Sequence, residues 1–468
     1  MIDKTSKPRQ ASATHHVEGT TQDNRPKLPD ATLTRRYAAR SVQLVIRDQV
    51  TLEAAFASQP GYMSLEARDR AFARLIAATV FRRWGQIQTV LKPMLKEKPP
   101  AFIMSVLQTA CAQILFLDTG AHAAVGEAVN VVKSSSKTKG FAGLTNAVLR
   151  RVTREGPKVV AAMAPSENFP RWLQNSWSKH YGRQALRKMS LQLMKDPPLD
   201  ISVASDPAGW AEKLEATLLP TGSLRKDRIG NVTALEGFEA GQWWAQDIAA
   251  SLPVKLLERG VKSEKDTGLK GLKVLDMCAA PGGKTLQLAA MGADVTAVDK
   301  SDKRLDRLRE NLERTGQIAH IVVADGKDYM PEDGEGQFDA VLLDAPCSAT
   351  GTFRRHPDVL FNKSHTDIGK LASLQGKLLK AAARHVKPGG WLIYCTCSLQ
   401  PEEGEAQIAP FLKVRTDFRL NPILTETDLD DLQVVTPDGF ARSLPHFLIK
   451  KGGMDGFFIA RLQRDEEI

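Results

Sequence analysis

Hydrophobic positions along the chain fall into three regimes. From residue 34 to about 154 they recur at helical spacing: Ala38, Val42, Val45, Ile46 and Val50; Ala71, Leu75, Ala78, Val80 and Phe81; then Phe102, Val106, Leu107, Ala110 and Ile114. Nothing there alternates like a strand, so the pattern predicts an all-helical segment of about five to seven helices, punctuated at Pro99-Pro100 and Gly140. Residues 155–167 read as a connector. From 169 to about 260 the signals are mixed: a helix over 172–194, a break at Pro197-Pro198, a strand over 199–203 and a helix over 208–218. An apolar helix over 248–257 follows, interrupted or kinked at Pro253. Residues 258–270 are charged and read as a surface loop. Residues 1–30 show no periodicity and read as a disordered tail.

The third regime is regular. Strands over 274–275, 295–298, 320–323, 340–343 and 391–395 alternate with helices over 284–290, 303–315 and 367–386. Short apolar runs alternating with helices predict a doubly wound parallel sheet, whose ligands bind at the carboxyl ends of the strands. The chain therefore divides into a tail (1–30), an all-α domain (31–165), a small α/β subdomain (166–262) and a Rossmann-like α/β domain (263–468).

Charge separates these parts. Net charge is +10, yet residues 31–170 hold 19 Lys and Arg against 9 Asp and Glu, and the rest of the chain holds 45 of each. Arginines dominate the basic groups: Arg35, Arg36 and Arg40; Arg68, Arg70 and Arg74; Arg82 and Arg83; Arg150, Arg151 and Arg154. A basic module beside a neutral one points to a polyanion, with RNA first, and a guanidinium fork suits phosphate. No apolar run approaches a bilayer's thickness, the first thirty residues lack an apolar signal core, and the cysteines number 5, so free thiols in the cytoplasm are expected.

Candidate chemistry gathers at predicted strand ends. Asp276 closes the first strand and leads into Cys278-Ala279-Ala280-Pro281-Gly282-Gly283-Lys284, a turn into a helix N-terminus. Asp299 ends the second strand, where an acid accepts from ribose hydroxyls; Asp325 ends the third, within reach of an adenine amine. The turn lacks G-x-G-x-x-G, which argues against NAD, and Cys278 stands where a P-loop needs its first glycine, which argues against ATP. S-adenosyl-L-methionine, with ribose and adenine but no phosphate, fits better. Cys347 and Cys397 follow two further strands, each in a position to supply a thiolate. Cys111 and Cys395 read as small buried hydrophobes. The cysteines lack the paired spacing of a metal site, so no metal is expected. Arg355 and His356 read equally as phosphate contacts or loop structure, and the charge run over 303–313 reads as a solvated helix face.

Five stretches carry a specific resemblance: DMCAAPGGKT (276–285), VDKSDKRLDRLREN (298–311), DAPCSATGTFRRHPD (344–358), YCTCSLQPEEGE (394–405) and DGFFIARL (455–462). In this order they resemble the Sun/Fmu (RsmB-like) family of RNA cytosine-5 methyltransferases. RDRAFARLIAATVFRR (68–83) and LTNAVLRRVTRE (144–155) resemble the NusB-like RNA-binding domain that such proteins carry. The resemblance implies a methyl donor held along Cys278–Lys284, Asp299, Asp325 and Asp344. It also implies Cys397 as nucleophile, Cys347 assisting product release, Asp344 on the cytosine N3/N4 edge, and small-subunit (16S) rRNA as partner. DNA is not expected, nor a membrane, and a monomer is favoured. Two alternatives stay open: the same chemistry on tRNA, or an RNA-binding regulator with a non-catalytic methyltransferase scaffold. DNA cytosine-5 methyltransferases attack with the Pro-Cys cysteine, which would give that role to Cys347. Gly404 departs from the pattern, which often has Asn there.

Overall fold

The computed structural model describes residues 28–227, 230–262, 268–332, 334–336, 338–424, 429 and 431–466. The expected tail lies outside the described residues up to position 27. Seven helices then pack together: α1 (Asp30–Asp48), α2 (Leu52–Ala57), α3 (Ala67–Arg82), α4 (Trp84–Leu91), α5 (Ala101–Phe116), α6 (Ala121–Lys133) and α7 (Ala142–Ala161). Their apolar faces meet in one core through Val42, Ile76, Phe81, Ile87, Leu107, Val132 and Leu149. The connector expected over 155–167 is shorter than the sequence suggests. Helix α7 runs through Pro157, with Val159 and Val160 still packed on that core.

Helix α8 (Arg171–Leu193) bends at Gly182, whose backbone leaves the helical region. A small antiparallel sheet follows, built from β1 (Leu199–Val203), β2 (Thr217–Leu218), β3 (Leu224–Lys226) and β4 (Trp243–Ala245) in the order β2-β3-β1-β4, with α9 (Pro207–Lys213) beside it. The helix expected over 208–218 thus stops early and yields to β2. Helix α10 (Ile248–Lys262) passes through Pro253 and consumes the start of the loop expected over 258–270, part of which (263–267) lies outside the described residues. Burial of Val254, Leu256, Leu257 and Val261 on one apolar face keeps the helix going past the proline.

The third part begins with β5 (Lys273–Met277), α11 (Gly283–Ala290), β6 (Asp294–Asp299), α12 (Asp302–Thr315), β7 (His320–Val323) and β8 (Phe338–Asp344). It continues with α13 (His365–Arg384), β9 (Val386–Thr396), α14 (Glu405–Val414), β10 (Phe418–Leu420), β11 (Ala441–Ser443) and β12 (Phe457–Arg464). The sheet order is β10-β12-β9-β8-β5-β6-β7, with β11 also on β12. Strands β9, β8, β5, β6 and β7 are mutually parallel, as the alternation predicts. Beyond the five expected strands the sheet turns mixed, because β12 pairs antiparallel with β9, β10 and β11. A strand buried on both faces reads as the same apolar run in either direction, so its sense is set by chain return alone.

The three parts interlock. Phe361 of the third part lies 5.4 Å from the Phe81 ring and 5.0 Å from Trp84, packed on the helical core. Arg82, only 7% exposed, donates to the carbonyls of Lys195 (2.9 Å) and Arg354 (2.7 Å). Asp358 Oδ2 accepts the Leu52 amide at 2.8 Å.

Candidate active site

Strand β5 delivers Asp276 into full burial. Its Oδ2 accepts from Thr285 Oγ1 at 2.6 Å, while Oδ1 is buried without a partner. Desolvation pushes this carboxyl up to about 7, with Thr285 and Lys284 pulling the other way. After the strand, Cys278 adopts a left-handed φ of 62° and Gly282 one of 106°, which folds the turn tightly before α11. A Cβ at Gly282 would stand 2.4 Å from Leu308 Cδ1, so glycine lets α12 lie against the turn. Burial and the neighbouring acids push the Cys278 thiol up to about 12, so it presents backbone and an un-ionised thiol.

Lys284 leaves α11 and reaches across the strand ends. Its Nζ lies 2.7 Å from Asp344 Oδ2 and 5.2 Å from the Phe457 ring centroid. Burial alone would lower the ammonium, but Asp344 and neighbouring groups hold it above its ordinary value. Asp344 Oδ1 faces Cys395 Sγ at 3.7 Å. The sequence placed Lys284 in the cofactor turn; tertiary structure makes it the cation of the Asp344 pair.

The two strand-end cysteines come together. Cys347, after β8, and Cys397, after β9, have sulfurs 3.4 Å apart. The hydrogen bond with Cys397 raises the Cys347 thiol well above its usual range, and burial adds to it. Cys111 and Cys395 are buried, as expected.

A cavity of about 530 Å³ joins several of these groups, with Asp276, Ala279, Pro281, Gly283, Lys284, Asp344 and Cys397 on its walls. This volume lies in the range of small-molecule sites. An unpartnered buried carboxylate oxygen beside a tight Gly-Gly turn is a donor-seeking site, so the residues fit a nucleoside-bearing sulfonium ligand. Asp299 and Asp325 lie outside those walls, at the ends of β6 and β7. Asp299 Oδ1 accepts from the Ser301 amide (2.9 Å), its Oδ2 accepts from the Ala280 amide (3.2 Å), and Arg304 stands 3.4 Å away. Asp325 is held by Lys327 through both its amide and its ammonium, which outweigh burial and keep it below its ordinary value.

Several wall residues escaped the sequence reading. Trp244, Gln246 and Asp247 bring the middle segment onto the cavity, and Arg307, Asn311 and Arg314 line it from α12. The charge run over 303–313 is therefore only partly a solvated face. Arg314 Nη1 reaches back to the carbonyls of Phe238 (2.6 Å) and Trp243 (3.1 Å). Arg355 lies on the wall and is tied to Asp455 through Nε at 2.8 Å. The Arg354 guanidinium is buried between Asp247 (3.4 Å) and Asp455 (3.5 Å). Burial and nearby cations push His356 down to about 4, so it is neutral.

The basic helices also divide. Arg82 is structural, Arg83 stacks over Phe116 at 4.8 Å, and Arg35 stacks over Phe72 at 5.3 Å. Arg36, Arg40 and Lys137 line a separate cavity of about 600 Å³ beside Ser134 and Ser135. Among the described residues no group of three or more His, Cys, Asp or Glu could hold a metal, and no helix is long and apolar enough to cross a membrane.

Residues 267–463 match the family model for the 16S rRNA methyltransferase RsmB/F, and residues 32–154 match the NusB family. The chain is 34% identical over 450 residues to the ribosomal RNA small subunit methyltransferase B of Pseudomonas putida, covering 92% of this chain and 98% of that protein. It is 32% identical over 406 residues to the protein of that name in Cronobacter sakazakii, covering 83% of this chain and 91% of the relative. The crystal structure of PH0851 superposes with a TM-score of 0.73 at 24% identity, over 94% of this chain and 100% of that one. NSun6 from Pyrococcus horikoshii with SFG superposes with a TM-score of 0.52 at 19% identity, over 64% of this chain and 99% of that one. These two structures share the fold.

Proposed function

The chain belongs to the RsmB/F family of 16S rRNA methyltransferases, and from that premise we propose that it methylates carbon 5 of a cytosine in small-subunit rRNA through a covalent Cys397 adduct. One observation carries the reading: two thiols 3.4 Å apart, one of them on the wall of a cavity shared with the Asp344–Lys284 pair and the turn over 279–283. S-adenosylmethionine, when bound, supplies an electrophilic methyl group. Residues Cys278–Lys284, Asp299, Asp325 and Asp344 would hold it.

Carbon 5 of cytosine is a poor nucleophile. The Cys397 thiolate adds to carbon 6, and the displaced π electrons make carbon 5 able to take the methyl. In this reading Asp344 accepts from the exocyclic amine at the cytosine N3/N4 edge, and Lys284, paired with it at 2.7 Å, donates to a ring acceptor. A base then removes the carbon-5 proton, the 5,6 double bond re-forms, and the electron pair of the C–S bond returns to Cys397. The Cys347 thiol, still protonated, donates to the departing sulfur. The target base has to leave its stack to reach this depth. In this reading the helical part grips RNA phosphates, residues 166–262 complete the cleft, and 263–468 perform the chemistry.

Cys397→Ala should abolish methylation and leave RNA binding intact, while Cys347→Ala should slow turnover and trap the adduct. An inactive Cys347→Ala with an active Cys397→Ala would reverse the assignment. Bisulfite mapping of total RNA from cells with and without the protein names the substrate; loss of signal in tRNA alone would favour the tRNA alternative.

A further inference from the structure

Both cysteine loops converge on one buried carboxylate that no step above uses. Glu403, in the 3-10 turn Pro401–Glu403, is 0% exposed. Its Oε1 accepts from the Ser348 amide (2.9 Å) and from Gln375 Nε2 (2.9 Å). Its Oε2 accepts from the hydroxyls of Ser348 (2.5 Å) and Ser398 (2.6 Å). Ser348 directly follows Cys347 and Ser398 directly follows Cys397. Gln375 also donates to the carbonyl of Pro346 (3.0 Å), the residue before Cys347. Glu403 is itself fixed to β9, because its carbonyl accepts from Tyr394 Oη (2.8 Å) and Thr396 Oγ1 (3.2 Å).

Among the described residues no lysine or arginine makes an ion pair with this carboxylate. Four neutral donors satisfy it, which makes burial tolerable, but an apolar group of similar volume would serve stability as well or better. What the carboxylate adds is a charged link between two loops that otherwise meet through the Ser348 and Ser398 hydroxyls (3.1 Å) and the Gly351 amide on the Cys397 carbonyl (2.9 Å).

We propose that Glu403 is a positioning residue for the cysteine pair: by clamping Ser348 and Ser398 it sets the distance between the Cys347 and Cys397 sulfurs, so that the Cys347 thiol can donate to the Cys397 sulfur as it leaves carbon 6. This rests on the cytosine-5 reading above. Close approach is what opposes ionisation of Cys347, since a second sulfur at that separation repels its charge. Cys347 is accordingly raised first by the hydrogen bond with Cys397, then by burial, then by the charges of Cys397 and Glu403. The other titratable groups facing the pair are Tyr394 and Cys395 on β9, the Lys284–Asp344 pair at the ends of α11 and β8, and Arg355 from the segment after β8. None of these spans the two loops.

The test uses the full-length chain with Glu403→Ala and Glu403→Gln. Iodoacetamide labelling of each cysteine is followed by peptide mass spectrometry at pH 8, and methylation kinetics are measured on a 16S rRNA transcript. In Glu403→Ala the sulfurs separate, Cys347 loses its hydrogen bond with Cys397 and its labelling rises by about tenfold or more, the change expected when a thiol titrates one unit lower. The kcat should fall by a similar factor with KM unchanged, and Glu403→Gln, which keeps an acceptor oxygen, should restore part of both. Cys278 is the internal reference, because it should stay unreactive. Wild-type Cys347 labelling and kcat in Glu403→Ala would overturn the proposal, as would Cys278 labelling that rises in step with Cys347. If Glu403→Ala does not fold, Ser398→Ala cuts one arm of the clamp and carries the same two outcomes. Labelling needs no RNA, so a Cys397→Ala enzyme that still methylates would sink the Cys397-adduct reading while leaving the labelling result intact.

Discussion

Replacing Asp276 by asparagine should stabilise the protein, and by more at high pH than at low. The carboxyl is fully buried, Oδ2 accepts from Thr285 at 2.6 Å, and Oδ1 has no partner. Desolvation lifts its folded-state pKa to about 7, against about 3.9 for an unfolded aspartate. Between those values the folded chain keeps a proton that the unfolded chain has released. Stability therefore falls as pH rises from about 4 to about 7, then levels off. A gap of about three units corresponds to roughly 4 kcal/mol. Asparagine preserves the acceptor for Thr285 and cannot ionise, so it escapes this loss. Urea denaturation of both proteins, followed by tryptophan fluorescence, gives the difference at each pH and cancels titrations common to the two. That difference should widen by about 3 kcal/mol between pH 5 and pH 8.5. A difference that stays constant with pH would refute the reasoning. The wild type would keep such a residue for its site, so the same variant should also bind S-adenosylmethionine more weakly by calorimetry.

Three further outcomes follow from the geometry. Arg82→Met leaves the carbonyls of Lys195 and Arg354 without their donor and should cost about 2–5 kcal/mol, read as a lower midpoint in thermal denaturation and faster proteolysis between the helical and catalytic parts. Gly282→Ala forces a Cβ to within 2.4 Å of Leu308 at a φ of 106°, and should cost about 1–3 kcal/mol, with weaker S-adenosylmethionine binding by calorimetry. Arg36→Ala with Arg40→Ala removes two cations from the cavity they share with Lys137, and should flatten the log–log salt dependence of RNA binding by about 1.4–1.8; an unchanged slope would place the phosphate contacts elsewhere.

Much of the site could be read from local pattern because its parts sit where alternating sheets place ligands. Asp276, Asp299, Asp344 and the two cysteines lie at carboxyl strand ends, and strand ends follow from runs of four to seven residues. The arginines were less legible. Arg35, Arg82 and Arg83 look like phosphate ligands on a helical wheel, yet each spends its guanidinium on an aromatic ring or on carbonyls from another part of the chain. Likewise Arg314 sits at the end of an apparently solvated run, but the middle segment folds over it. The helices expected to end near 154 and 257 run on to Ala161 and Lys262 for the same reason: buried faces outweigh the local penalty of Pro157 and Pro253.

The sequence by itself determined the three regimes of structure, the strand-end acids and the order of the motifs, because these depend on periodicity and on neighbours within a few residues. Only tertiary structure decided that β12 returns antiparallel to β9, that Lys284 pairs with Asp344, and that Cys347 and Cys397 stand 3.4 Å apart under a single carboxylate. Strand sense, pairing across 60 residues and the spacing of two sulfurs 50 residues apart arise from how elements pack, and no local pattern encodes packing.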